Sequence, residues 1–167
     1  HCWTCGAAQA YLGFEHEWQH IIFKSNLAVR QLFVESYAED WKAKVPDVDV
    51  HTLKGFLNVF TNVFDDIRCN SLWEKIYPGS AAEIWKRWKR LTEERGEGVN
   101  KTFIDFFFAV AFDVPTDPNG EFEPLRQILQ WGVHKVKYRG FMNMLVDVRV
   151  VVDYCVGAMI SKFQKPP

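Results

Sequence analysis

No apolar run in this chain approaches the ~18 residues that a membrane-spanning helix needs, so nothing in it reads as a transmembrane segment. Charge of one sign is also lacking. Lys and Arg total 20 against 21 Asp and Glu, and a chain so close to neutral self-associates more readily than a highly charged one. A glycine-rich phosphate loop and a Gly-x-Ser-x-Gly elbow are both missing, which removes those sequence signatures of nucleotide binding and serine hydrolysis. There is no internal repeat and no low-complexity tract. One β-branched run, residues 146–152, would suit a strand, but no second strand presents itself as a partner and it reads better as helix. The chain starts at His1 with neither Met nor a signal-like segment, as a processed protein or a trimmed piece would.

Cysteine is sparse: Cys2, Cys5, Cys69 and Cys155. An even count permits two disulfides in a secreted domain, and Asn100-Lys101-Thr102 is a formal glycosylation sequon that fits this view. The preferred reading is a reduced compartment, with Cys69 and Cys155 as buried free thiols among apolar neighbours.

What the chain does have is aromatic mass. Hydrophobic residues make up 48% and aromatics 16%, with 7 Trp and 14 Phe, which excludes disorder and predicts a dense aromatic core. At 167 residues it forms one compact domain or two small ones and buries roughly 70% of its unfolded surface. The apolar spacing is helical almost throughout, over residues 15–23, 26–43, 51–64, 72–76, 81–94, 101–112, 124–136 and 141–163. Ser25-Asn26 and Ser80 are candidate N-caps, Gly96 and Gly98 supply a stop, and residues 115–120 read as a loop. Phe106-Phe107-Phe108 is too apolar on all sides to be surface and reads as core. The expected architecture is all-α: two small helical bundles packed as one compact unit, residues 1–77 and 78–167, divided at Pro78-Gly79-Ser80.

The second bundle opens on Lys86-Arg87-Trp88-Lys89-Arg90. Ile84, Trp85, Trp88 and Leu91 recur at i, i+3, i+4 and predict a buried face, with Lys86, Arg87, Lys89 and Arg90 flanking it. Such a basic face suits RNA phosphates or anionic headgroups, though a merely solvated amphipathic helix has the same pattern. Lys135, Lys137 and Arg139 around Tyr138 form a second basic cluster, read first as a favourable helix end and second as reinforcement of polyanion binding. Asp65-Asp66, Asp147 and Asp153 read as solvated or capping carboxylates.

Near the amino terminus, Cys2, Cys5, His16 and His20 spell C-x2-C-x10-H-x3-H. Two thiolates and two imidazoles suit the tetrahedral shell of structural zinc, and His16 and His20 at i, i+4 point the same way on a helix. The spacing between the pairs is shorter than the usual finger, so a Cys2 or Cys5 disulfide and an unligated terminus remain alternatives. The same stretch, His16-Glu17-Trp18-Gln19-His20, spells H-E-x-x-H. A metalloprotease needs a third ligand, an open coordination position and Glu17 as general base, in a helix that normally lies against a sheet. No sheet is evident, and the protease reading ranks last.

Three features in order resemble the amino-terminal domain of the orthomyxovirus matrix protein family, which includes the influenza matrix protein. They are Thr52-Leu53-Lys54-Gly55-Phe56-Leu57-Asn58-Val59-Phe60-Thr61, then Ile84-Trp85-Lys86-Arg87-Trp88-Lys89-Arg90, then Gly98 followed by the apolar stretch 103–112. The resemblance covers residues 33–112. It departs from the family at residues 115–120 and 133–139 and in its neutral charge balance. It implies a non-enzymatic structural protein with no small-molecule substrate, self-associating beneath a viral envelope. There it would bridge anionic membrane to RNA or ribonucleoprotein through Lys86, Arg87, Lys89 and Arg90, which also suit a nuclear-import signal. The implied location is the virion interior, with passage through host cytoplasm and nucleus to the inner face of the plasma membrane. The family also implies a further carboxy-terminal domain. The competing expectations are a zinc-binding helical adaptor and a secreted disulfide-linked helical carrier of a small apolar ligand.

Overall fold

A computed structural model describes residues 14–95 and 102–163, with side-chain surroundings as far as Ala158. Among the described residues every regular element is helical. Helix α1 covers residues 14–22, followed by α2 (Leu27–Lys44), α3 (Val50–Glu74), α4 (Pro78–Glu94) and α5 (Phe103–Ala111). A 3-10 turn at Glu123–Leu125 leads into α6 (Arg126–Val136), and α7 (Phe141–Phe163) is the last described element. No helix among the described residues is long and apolar enough to cross a membrane.

Helix α3 is the axis on which the rest is assembled, touching α2, α4, α6 and α7. It is entered through Asp49, whose carboxylate accepts the Thr52 N–H at 3.1 Å, as Asn26 accepts the Val29 N–H at 3.0 Å to start α2. Leu53, Leu57, Phe60, Phe64 and Ile67 follow at i, i+4, i+7 spacing and are all buried. Each such side chain contributes about 1.5–3 kcal/mol by leaving water. Helix α5 lays its phenylalanines on the same face, with Phe60 and Phe107 stacked at 4.2 Å between ring centres. Phe106 and Phe107 are buried and Phe108 half-buried, as the sequence predicts for a core segment. Buried residues on α2, α3, α5, α6 and α7 belong to one continuous hydrophobic cluster, so elements on both sides of Pro78 share a core.

The helix predicted to stop at Phe64 runs ten residues further and absorbs the short 72–76 segment. The carboxylates at Asp65 and Asp66 break the apolar pattern, but partners from other elements neutralise them, so the backbone has no reason to end there. Ser80 is not an N-cap. Helix α4 begins at Pro78, whose fixed φ suits the first helical position, and Ser80 instead accepts from Trp73 Nε1 at 3.0 Å and donates to Glu15. Leu91 is 43% exposed, whereas Thr92 is buried. At about 100° per residue, a face centred on Ala81 places Thr92 about 20° from the centre and Leu91 about 80° away. The Thr92 hydroxyl donates to the Trp88 carbonyl at 2.9 Å, which makes its burial tolerable.

Candidate metal centre

The carboxy-terminal half of α3 carries Asp65, Arg68, Asn70 and Ser71 among its buried positions. Polar side chains there need partners, and α1, the α1–α2 joint and the α6–α7 joint supply them. From α1, Gln19 Nε2 donates to Asn70 Oδ1 at 3.2 Å. The Arg68 guanidinium donates to Asp65 Oδ1 at 2.8 Å, to the Phe23 carbonyl at 3.1 Å and to the Arg139 carbonyl at 3.3 Å. Ser71 Oγ accepts the Tyr138 N–H at 3.0 Å, where Tyr138 takes a left-handed φ of 62°. The Asp147 carboxylate in turn accepts from Arg139 at 2.9 and 3.2 Å. Asp65 and Asp147 are thus buried partners of arginines rather than solvated or capping groups, and Asp153 accepts from the Tyr37 hydroxyl.

Against this scaffold α1 sets its two histidines. His16 and His20 are one turn apart and both rings turn onto Asp66. His16 Nε2 lies 3.1 Å and His20 Nε2 3.0 Å from the same Asp66 Oδ1, and the two nitrogens are 3.3 Å apart. Two imidazole nitrogens and a carboxylate oxygen therefore stand at the corners of a near-equilateral triangle. Zinc bonds of ~2.0–2.1 Å at tetrahedral angles separate their ligands by about 3.3 Å, close to this spacing. The residues form a group able to hold a metal ion.

The other ring nitrogen of His20 is fixed from behind. Its Nδ1 lies 3.1 Å from Asp65 Oδ2 and 2.9 Å from Ser25 Oγ, and Ser25 donates to that carboxylate at 2.6 Å. A carboxylate holding the far nitrogen of an imidazole is the usual support for a histidine ligand, because it fixes the tautomer and the ring plane. His16 Nδ1 is buried with no such partner among the described residues, and its ring packs edge-on to Trp88 at 5.3 Å.

Electrostatics frame what the triangle requires. Burial works against charge on His20, but Asp65, Asp66 and the Cys69 thiol outweigh it and push its pKa up from 6.5 to about 12. Burial alone would raise the pKa of Asp65, yet His20, Ser25 and Arg68 hold it below the usual range. Asp66 is held down in the same way by His16 and His20. Asp65 and Asp66 carry two negative charges and Arg68, bonded to Asp65, offsets one, which leaves a demand for positive charge that either a proton on His20 or a divalent cation at the triangle meets. A second group, His20 with Asp65 and Cys69, has suitable ligand types. Arg68 already occupies it, with Nε on Asp65 and an NH2 group 3.5 Å from Cys69 Sγ, so a cation there would sit against a fixed one.

Of the four predicted metal ligands the structure brings His16 and His20 together, while Cys2 and Cys5 lie outside the described residues. Sequence reasoning missed Asp66. The available signal was a pair of carboxylates interrupting an apolar helix three residues before an arginine. Cys69 and Cys155 are buried free thiols, as expected. The predicted polyanion residues lie elsewhere. Lys86 and Arg90 are exposed but pair with Glu83 at 2.8 Å and Glu94 at 3.4 Å, and Arg87 and Lys89 are half-buried. Lys135 is exposed, Arg139 is held by Asp147, and Lys137 lies over the Trp85 ring at 5.9 Å. Lys86 and Lys137 line one 360 Å³ cleft whose walls are otherwise residues of α3 and α4, Glu74 among them. No known protein family, characterised protein or solved structure matches this chain.

Proposed function

We propose that the protein is a zinc-binding helical protein in which His16 Nε2, His20 Nε2 and Asp66 Oδ1 take one ion. The observation that carries this reading is the triangle of three ligand atoms at 3.0, 3.1 and 3.3 Å, with Asp65 behind His20. Nitrogen and carboxylate ligands at this spacing suit zinc better than calcium or magnesium, which prefer all-oxygen shells. Because α1 and α3 each donate ligands, the ion clamps the first helix to the central one, and its binding free energy becomes folding free energy. The test is zinc stoichiometry by calorimetry and elemental analysis on the chelated, reloaded chain. One equivalent is expected for the parent and for a Cys2→Ser/Cys5→Ser variant, and none for Asp66→Ala. Binding that follows the cysteines and ignores Asp66 would return the site to the four-ligand Cys2, Cys5, His16, His20 arrangement.

A second reading, matrix-type binding to RNA or an anionic membrane, draws on the convergence of Lys86 and Lys137 on one cleft beside Trp85. In this reading Lys135, Arg87, Lys89 and Arg90 extend the patch, and the protein self-associates along the surface it coats. It predicts binding to single-stranded RNA or phosphatidylserine vesicles that falls steeply with salt and is lost in a Lys86→Glu/Lys137→Glu variant. Binding unchanged in that variant would exclude the assignment.

A further inference from the structure

The sequence pattern His16-Glu17-x-x-His20 lacked a third ligand and an open coordination position for hydrolytic chemistry. Asp66 supplies the first. For the second, the ligand triangle forms part of the wall of a 460 Å³ surface cleft. Three ligands among the described residues, beside an accessible cavity, match the arrangement of catalytic zinc, whereas structural zinc is closed by a fourth. Glu17 lines that same cleft. On the helix it follows His16 by about 100° and stands about 60° from His20, so its carboxylate flanks the ligand pair rather than joining it.

We infer that this cleft hydrolyses peptide bonds, with Glu17 as the general base; the inference rests on the zinc site proposed above. Zinc supplies the Lewis acidity that polarises the substrate carbonyl. Glu17 takes a proton from a water molecule in the cleft as the water oxygen bonds to the carbonyl carbon. The C–N bond then breaks, and the amine leaves with the proton that Glu17 returns. One water is consumed, and a carboxylic acid and an amine are released, the acid's remaining proton passing to the amine in solution to give a carboxylate and an ammonium.

The remaining walls define the substrate class. Ile21 and Leu27 line the cleft and are each 68% exposed, an apolar shelf that suits a hydrophobic side chain beside the cleaved bond. Arg30 lines the same cleft, and its guanidinium, which donates to Asn62, can also bond a peptide carbonyl or a terminal carboxylate. The volume falls within the range of small-ligand clefts, so the substrate is a short peptide or an exposed loop rather than a folded surface.

The experiment uses the zinc-loaded 167-residue chain with quenched fluorogenic peptides carrying either leucine and phenylalanine or aspartate around one cleavable bond. Cleavage of the apolar peptides in preference to the acidic ones is expected, abolished by chelation and restored by zinc. Glu17→Gln should keep one equivalent of zinc and lose 10²-fold or more of the rate, the usual share of a general base. If the loaded parent cleaves nothing, or Glu17→Gln cleaves as fast as the parent, the inference is wrong while the zinc site stands. If no zinc binds, the reading of the site falls first and this inference with it.

Discussion

Removing Arg68 is the sharpest perturbation of the scaffold beneath the site. Its side chain is 1% exposed and donates to Asp65, to the Phe23 and Arg139 carbonyls and to Ser25. Arg68→Met keeps most of the apolar volume but leaves Asp65 with no guanidinium and two carbonyls without a donor. Breaking a buried ion pair from one side costs about 3–5 kcal/mol, a large part of the 5–15 kcal/mol that typical domains possess. With an m-value of roughly 2 kcal/mol/M in urea, the chelated variant should unfold at a midpoint about 1.5–2.5 M lower. Adding Asp65→Asn to Arg68→Met should recover part of the loss, because the carboxylate left without a guanidinium is then gone. A midpoint shift below about 0.5 M with unchanged m, or strict additivity in the double variant, would refute the claim that this pair is buried and mutually dependent.

Four further outcomes follow from the same geometry. A Cβ at Gly132 would stand 2.6 Å from Val151 Cγ2 and 2.9 Å from Phe64 Cζ, so Gly132→Ala should lose about 1–2 kcal/mol net of its helix-propensity gain. A melting temperature equal to or above the parent's would contradict the close approach of α6 to α3 and α7. In the chelated protein the contribution of Asp65 and Asp66 is complete above their ordinary pKa of 3.8 and disappears as pH falls through their depressed values. That of His20 is complete below 6.5 and fades as pH rises through about 12, so thermal stability should peak between about pH 4 and 6.5; a peak above pH 8 would be incompatible with the network. Burial pushes the Cys155 thiol up to about 12, so mass spectrometry should find it unalkylated by iodoacetamide at pH 8 until the chain unfolds. Asp65→Asn should weaken zinc by 10–100-fold in calorimetric titrations without changing stoichiometry, and an unaltered affinity would deny Asp65 its role behind His20.

Periodicity within one element was legible in the sequence, and neutralisation between elements was not. The spacing from residue 141 onward predicts the start of α7 at Phe141, and Asn26 announces the start of α2. Helix α3 was cut short because Asp65-Asp66 looks like a solvated end. The groups that cancel those charges come from His20, some 45 residues earlier in the chain, and from the neighbouring Arg68. The same gap hid Asp66, the third member of the candidate metal group. His16 and His20 announce each other at i, i+4, but no spacing rule ties either to Asp66. Leu91 and Thr92 exchanged places because pattern alone does not fix the centre of a helix face when Trp85 and Trp88 straddle it.

The cost of the buried network also bears on where function resides. Apolar side chains packed in place of a buried ion pair are often as stable as the pair, which rarely recovers its own desolvation. A chain with this much phenylalanine had ample means to fill the space. It keeps instead a carboxylate, a guanidinium, an amide and a hydroxyl in the buried half of α3, all bonded, with the carboxylate directly behind His20. The basic helix makes no comparable sacrifice. Lys86 and Arg90 are exposed and paired with neighbours on their own helix, an arrangement worth a few tenths of a kcal/mol. Polar groups held at a cost to stability mark a site more reliably than charges that cost nothing to display. On these energetic grounds the junction of α1 and α3 is a stronger candidate site than the basic helix.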